Sequence, residues 1–184
     1  MELRSRRILL GVTGGIAAFK AATLVSLLRK EGAEVQVVMT ENATRFITPL
    51  TLATLSTRPV LCDLFDCGPE WKVDHIDLAD FAELALIAPA TANIIGKTAA
   101  AVADDLLSTL LLALRCPVVF CPAMNSAMYR NPVLQDKITY LESKGYFFIP
   151  PVEGELACGD VGIGRLPLPE NIINSLKALP LPEE

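Results

Sequence analysis

Residues 7–29 read RILLGVTGGIAAFKAATLVSLLR, and the change of period inside this stretch decides the fold. Residues 7–12 form a continuous β-type apolar run, of the kind that is buried on both faces of a parallel sheet. Thr13-Gly14-Gly15 interrupts it, and residues 16–29 then take up a helical pattern. Strand, tight turn and helix make the opening unit of a doubly wound α/β sheet, whose ligands lie beyond the carboxyl ends of the strands. Glycine allows close backbone approach, and the first amides of the new helix favour a phosphate. The spacing of Gly11, Gly14 and Gly15 does not complete a GxGxxG fingerprint, so a mononucleotide fits better than a dinucleotide. Taken alone, the motif is equally compatible with a plain βα turn.

Four more strands are predicted outward from this unit. Residues 35–40 follow the Gly32 stop and place Thr40 and Asn42 at a strand end, where they are suited to a phosphate or its polyol tail, or to capping the short helix that begins near Ala43. Residues 84–88 run into Pro89-Ala90-Thr91-Ala92-Asn93, a polar turn before a helix over 94–101. Residues 118–121 end at Pro122, where the chain is expected to leave the sheet and present Ala123, Met124 and Asn125. Asn125 is suited either to binding a ligand through its amide or to capping a helix from Ser126. Residues 146–149 supply the last strand, and helices are expected over 106–114, 133–144 and 170–179. Between residues 48 and 69, three prolines suggest a long irregular excursion. Residues 153–167, EGELACGDVGIGRLP, suggest a mobile glycine-rich flap. One domain over residues 1–180 and a tail over 181–184 complete the expected layout.

The bulk properties narrow the function. With 184 residues, 52% of them hydrophobic, the chain can bury one good core. Its net charge of −5, with dispersed basic residues, lacks the footprint of a nucleic-acid binder. No apolar run reaches the length of a membrane span, and the N-terminus lacks a cleavable signal, so a cytoplasmic protein is expected. Five cysteines without CxxC spacing fit neither a disulfide framework nor a metal site. His75, the single histidine, stands between Asp74 and Asp77. A lone histidine is more often structural, yet a neighbouring carboxylate also suits it to acid–base work.

In order and spacing, four segments together resemble the flavin-containing cysteine decarboxylases: GVTGGIAAFK at 11–20, HIDL at 75–78, PAMNSAM at 122–128, and LACGD at 156–160 with Gly162 and Gly164. The resemblance extends over nearly the whole chain and points to the branch of coenzyme A biosynthesis. It implies FMN between the subunits of a homotrimer, with a dodecamer of trimers as the larger alternative. The implied flavin contacts are Gly14, Gly15, Ile16, Ala17, Thr40, Asn42, Thr91, Ala92, Asn93, Ile94 and Ala123. The implied catalytic residues are His75, which assists oxidation and loss of the carboxylate, Asn125, which holds that carboxylate, and Cys158, which donates a proton. Met124, Ala157 and Gly159 join Asn125 around the substrate, phosphopantothenoylcysteine.

The implied reaction oxidises the substrate thiol to a thioaldehyde, releases carbon dioxide to leave an enethiolate, and reduces that to phosphopantetheine. A phosphopantothenate–cysteine ligase, separate or fused, is the implied partner. Tyr129 and Leu166 depart from the tryptophan and methionine common in the family, which bears on pocket shape. Two alternatives share the fold and much of the motif set: a peptidyl-cysteine decarboxylase of lantibiotic maturation, and a non-catalytic flavin-binding regulatory subunit.

Overall fold

The computed structural model describes residues 2–64, 74–155 and 161–180. In chain order these form β1 (Arg7–Val12), α1 (Lys20–Lys30), β2 (Glu34–Met39), α2 (Pro49–Ser56), α3 (Asp74–Phe81), β3 (Leu84–Ala90), α4 (Ala92–Ala99) and α5 (Leu106–Ala113), followed by β4 (Val118–Pro122), α6 (Ser126–Tyr129), α7 (Pro132–Ser143), β5 (Phe147–Phe148), β6 (Val152–Glu155), β7 (Val161–Arg165) and α8 (Pro169–Ala178). Strands β1 to β5 make one parallel sheet in the order β2-β1-β3-β4-β5. This is the flavodoxin-like order, and it reverses direction between β1 and β3.

Side chains that alternate along the strands feed two cores. Ile8, Leu10 and Val12 of β1 join Leu24, Val25 and Leu28 of α1, Leu52 of α2 and Ile172, Ile173 and Leu176 of α8. Leu9 faces the opposite way, with Ile87 and Phe120, toward Leu78 of α3, Ile94 and Ile95 of α4, the leucines of α5 and Ile138 of α7. The α1 residues recur at the i, i+3, i+4, i+7 spacing of an amphipathic helix. That helix ends on Arg29 and Lys30, which complement its dipole, and Gly32 follows at φ +86°. Gly11 packs into the second core: a Cβ there would lie 2.7 Å from Ile87 Cδ1 and 2.8 Å from Leu107 Cδ1, so a larger residue would require these side-chain ends to shift.

Three expectations change. The stretch expected to be irregular contains α2, which Thr48 caps by accepting from the Thr51 amide and which Pro49 opens; proline fits the first helical turn because its missing N–H is not needed there. Farther along, Leu61 forms a parallel bridge to Val38, so this connection also extends the sheet edge. Strand β3 runs through Pro89 to Ala90 and β4 takes in Pro122 as its last residue, with Ala90 opposite Pro122 after a shift in register. Finally, the glycine-rich segment supplies an antiparallel pair, β6 and β7, on either side of residues 156–160, which lie outside the described residues.

Candidate active site

The carboxyl ends of β1 and β3 are tied together by Thr13. Its hydroxyl donates to Pro89 O at 2.7 Å and accepts from the Thr91 amide at 3.0 Å. Thr13 is fully buried, so the clamp holds the mouth of the switch point rigidly. Next to it, Gly14 takes the Asn42 backbone in direct contact: a Cβ on Gly14 would fall 2.5 Å from Asn42 Cβ and 2.8 Å from its carbonyl carbon. Thr40 is held by its amide, which donates to Val12 O at 3.0 Å. Three strand ends are therefore fixed relative to one another by backbone and buried contacts.

They enclose a cavity of about 420 Å³. From β1 comes Gly14, from the segment after β2 come Thr40, Glu41 and Asn42, and from the start of α4 come Thr91, Asn93 and Ile94. Thr40 and Thr91 occupy helix N-cap positions without making a side-chain cap bond. This is unusual, because threonine at that position ordinarily spends its hydroxyl on the backbone. Among the described residues, their hydroxyls and the amides of Asn42 and Asn93 form no hydrogen bonds, leaving four polar groups facing one space. Beyond Gly14, the first helical bond runs from the Ala18 amide to Gly15 O at 2.9 Å. The amides of Gly15, Ile16 and Ala17 precede it and are left for a ligand or water. Ala92 lies between two lining residues, and Ala123 sits at the adjacent strand end, its amide donating to Ala90 O at 3.0 Å.

The far wall is ionic. Lys97 reaches Asp104 at 2.6 Å and Asp105 at 2.7 Å, and all three line the cavity. Asp105 also caps α5: it accepts from the Ser108 amide at 2.8 Å while the Ser108 hydroxyl accepts from the Asp105 amide at 3.0 Å. Burial alone would raise the Asp105 pKa, but hydrogen bonds from Lys97 and Ser108 hold it below its ordinary value. Burial likewise acts to lower Lys97, and its two carboxylate partners outweigh it and hold the ammonium above its usual range. Sequence reasoning passed over both Lys97 with its two acids and Thr13. The signal for the first was a lysine seven and eight residues before two acids; Thr13 acts across 76 residues, beyond any local pattern.

Past β4, Asn125 caps α6, its Oδ1 accepting from the Ala127 amide at 2.8 Å. Strand β7 lies directly on this loop. The Met124 amide donates to Gly164 O at 3.0 Å, and Ser126 Oγ donates to Ile163 O at 2.7 Å. A Cβ on Gly162 would meet Ser126 Oγ at 2.3 Å, and one on Gly164 would meet Met124 O at 2.2 Å. These two glycines serve close packing, a role different from the flexibility expected of them. His75 falls in the first turn of α3, though its side chain lies outside the described set. Ala157, Cys158 and Gly159 lie outside the described residues altogether. Of the other cysteines, burial pushes Cys116 up to about 11 and Cys121 higher still, consistent with inert thiols.

A flavodoxin-like sheet with a polar cavity at its switch point defines a class of proteins that bind phosphate-bearing cofactors. Within that class, the chain belongs to the flavoprotein family, whose model matches residues 1–180. It is 52% identical over 171 residues to the coenzyme A biosynthesis bifunctional protein CoaBC of Bacillus subtilis (strain 168), a match covering 93% of this chain and 42% of that protein. The chain thus spans less than half the length of the curated relatives it matches. Among solved structures, a PPC decarboxylase mutant complexed with pantothenoylaminoethenethiol superposes with a TM-score of 0.84 at 31% identity, covering 95% of this chain and 98% of that one. The FMN-dependent cysteine decarboxylase SpaF gives 0.81 at 29% identity, covering 96% and 98%.

Proposed function

We propose that the chain is an FMN-dependent decarboxylase that converts phosphopantothenoylcysteine to phosphopantetheine. The observation that carries this reading is the switch-point cavity, where Thr40, Asn42, Thr91 and Asn93 present polar groups the fold leaves unused. These groups suit the hydroxyls of a ribityl chain, and the amides of Gly15, Ile16 and Ala17 suit its phosphate. FMN is the flavin named for SpaF, and the relatives named for coenzyme A biosynthesis support the substrate.

When bound, FMN supplies the two-electron oxidation of the substrate thiol and the later return of a hydride. The protein's own work is to bind, orient and move protons. Asn125, at the strand edge and at the N-cap of α6, holds the carboxylate that must leave, a role its amide suits as a hydrogen-bond donor. His75 takes up the proton released on oxidation. Cys158 returns a proton to carbon as the enethiolate is reduced. The solved neighbour, a cysteine-to-serine mutant holding an unsaturated ethenethiol, supports a thiol donor acting at that last step.

Ile16, Phe19, Phe46 and Leu50, in the segments after β1 and β2, are large and exposed. They suit a trimer in which a second subunit covers the cavity edge. Residues 1–180 form the flavin-binding unit, with a phosphopantothenate–cysteine ligase as partner or fused domain. No helix among the described residues is long and apolar enough to cross a membrane, which agrees with work in the cytoplasm. The test is the absorbance of the purified protein. A yellow protein releasing stoichiometric FMN on denaturation is expected, and a colourless protein that flavin cannot reconstitute would overturn the reading.

A further inference from the structure

A second cavity, of about 500 Å³, opens between the β6–β7 pair and the α6–α7 corner, lined by Tyr129, Arg130, Gln135, Glu153 and Ile163. It is continuous with the Asn125 loop. The Tyr129 amide donates to Asn125 O at 3.0 Å, the Arg130 amide to Ser126 O at 2.9 Å, and Ile163 O accepts from Ser126 Oγ at 2.7 Å. One wall is helical, carrying Tyr129, Arg130 and Gln135. The other is the cross-strand pair Glu153 and Ile163. Arg130 and Glu153 both line the groove and form no ion pair among the described residues, so the guanidinium keeps its charge for something else. From this geometry we infer that the groove takes the arm of the substrate that leads away from the reacting cysteine, and that Arg130 binds the phosphate monoester at its end. The inference rests on the substrate proposed above and adds the site that reads its phosphate.

Length and charge both agree. Arg130 lies five residues past Asn125, about 7 Å along the chain axis at helical rise, and its side chain extends the reach. The phosphopantothenoyl arm resembles a short extended peptide, on the order of 14 Å from carboxylate to phosphate. A substrate anchored by its carboxylate at Asn125 can therefore bring its phosphate to the guanidinium. Between the two ends the arm carries amides and a hydroxyl, which suit the groove's mixed walls, although Gln135 Nε2 is already engaged in donating to Tyr129 O. Glu153 opposes a dianion, so the phosphate sits on the helical wall, away from the acid. Arginine offers a planar fork that matches a phosphate, which a lysine does not.

The test compares phosphopantothenoylcysteine with pantothenoylcysteine as substrates, and 4′-phosphopantothenate with pantothenate as ligands in calorimetry, on the 184-residue chain without any ligase present. Wild type is expected to prefer the phosphorylated member of each pair. Arg130→Gln should reduce that preference about ten- to hundredfold, with the loss appearing in KM. Arg130→Lys should restore part of it, and Glu153→Gln should increase it. If wild type binds pantothenate as tightly as its phosphate ester, or if Arg130→Gln leaves the preference intact, the inference is wrong. Turnover reports on the proposed function separately: a wild type that binds 4′-phosphopantothenate preferentially but decarboxylates neither substrate keeps the groove and loses the reaction.

Discussion

Replacing Gly14 with alanine tests whether the cavity is built by backbone contact. The added Cβ would lie 2.5 Å from Asn42 Cβ and 2.8 Å from the Asn42 carbonyl carbon, well inside van der Waals contact. One of these atoms is backbone, so no side-chain rotation relieves the clash and the loop after β2 must move. Overpacking of this kind costs about 1–3 kcal/mol. For a domain of this size that corresponds to a drop in Tm of roughly 2–12 °C. Because Asn42 lines the cavity, flavin affinity should fall with stability. Gly15 is the internal control: a Cβ there meets nothing closer than Thr91 Cγ2 at 3.7 Å, so Gly15→Ala should match wild type in Tm. Gly15→Asp keeps that space but sets a negative charge beside the phosphate, and should fold yet purify without FMN. Thermal unfolding and the fluorescence of released flavin give both readouts. If Gly14→Ala is as stable and as fully loaded as Gly15→Ala, the cavity is not set by this contact.

Further outcomes are expected elsewhere in the site. Gly162→Ala should displace Ser126 Oγ, which its Cβ would approach to 2.3 Å, and reduce decarboxylation while flavin stays bound. His75→Asn should give a folded, yellow protein with little or no turnover, and near-normal turnover would return His75 to a structural role. Cys158→Ser, supplied with substrate in air so that oxygen reoxidises the flavin, should still release carbon dioxide but accumulate the enethiol, two hydrogens lighter than phosphopantetheine by mass spectrometry; saturated product at the normal rate would exclude this thiol as the donor. The ionic wall gives a pH signature. Asp105 is depressed from its ordinary 3.8, so its contribution to stability is present above that value and lost as pH falls through the lower folded one. Lys97 is raised from 10.5, so its contribution is present below that value and lost as pH rises through the higher folded one. Lys97→Met should flatten both limbs in denaturant titrations, and unchanged limbs would show that the pair does not couple to folding.

The sheet was legible because β1 to β4 are near-continuous apolar runs, and the switch-point residues were legible because each follows such a run directly. Thr40, Asn42, Thr91 and Asn93 are placed at strand ends by sequence position, and the structure brings all four to one cavity. Whether Thr40 caps a helix or faces a ligand is open in the sequence because local pattern does not give side-chain orientation; in the fold Thr40 sits at a cap position and makes no side-chain cap bond, and Thr91 does the same. α2 was missed because Pro49 was read as punctuation, although Thr-Pro is also a helix start. Gly162 and Gly164 looked like hinges because their partner loop lies nearly 40 residues away in sequence, and local composition carries no trace of that packing. The Lys97 ion pairs escape for a local reason: Lys97 lies in α4 while Asp104 and Asp105 precede α5, so the short separation does not put them on one helix face.

The central claim is most directly tested by the mass of the product that wild-type protein makes from phosphopantothenoylcysteine, measured together with the carbon dioxide released. One carbon dioxide for each saturated phosphopantetheine, formed with no external reductant, is the predicted result, because the electrons taken from the thiol are returned to the same molecule. An unsaturated enethiol as the wild-type product, or no release of carbon dioxide by flavin-loaded protein, would contradict it.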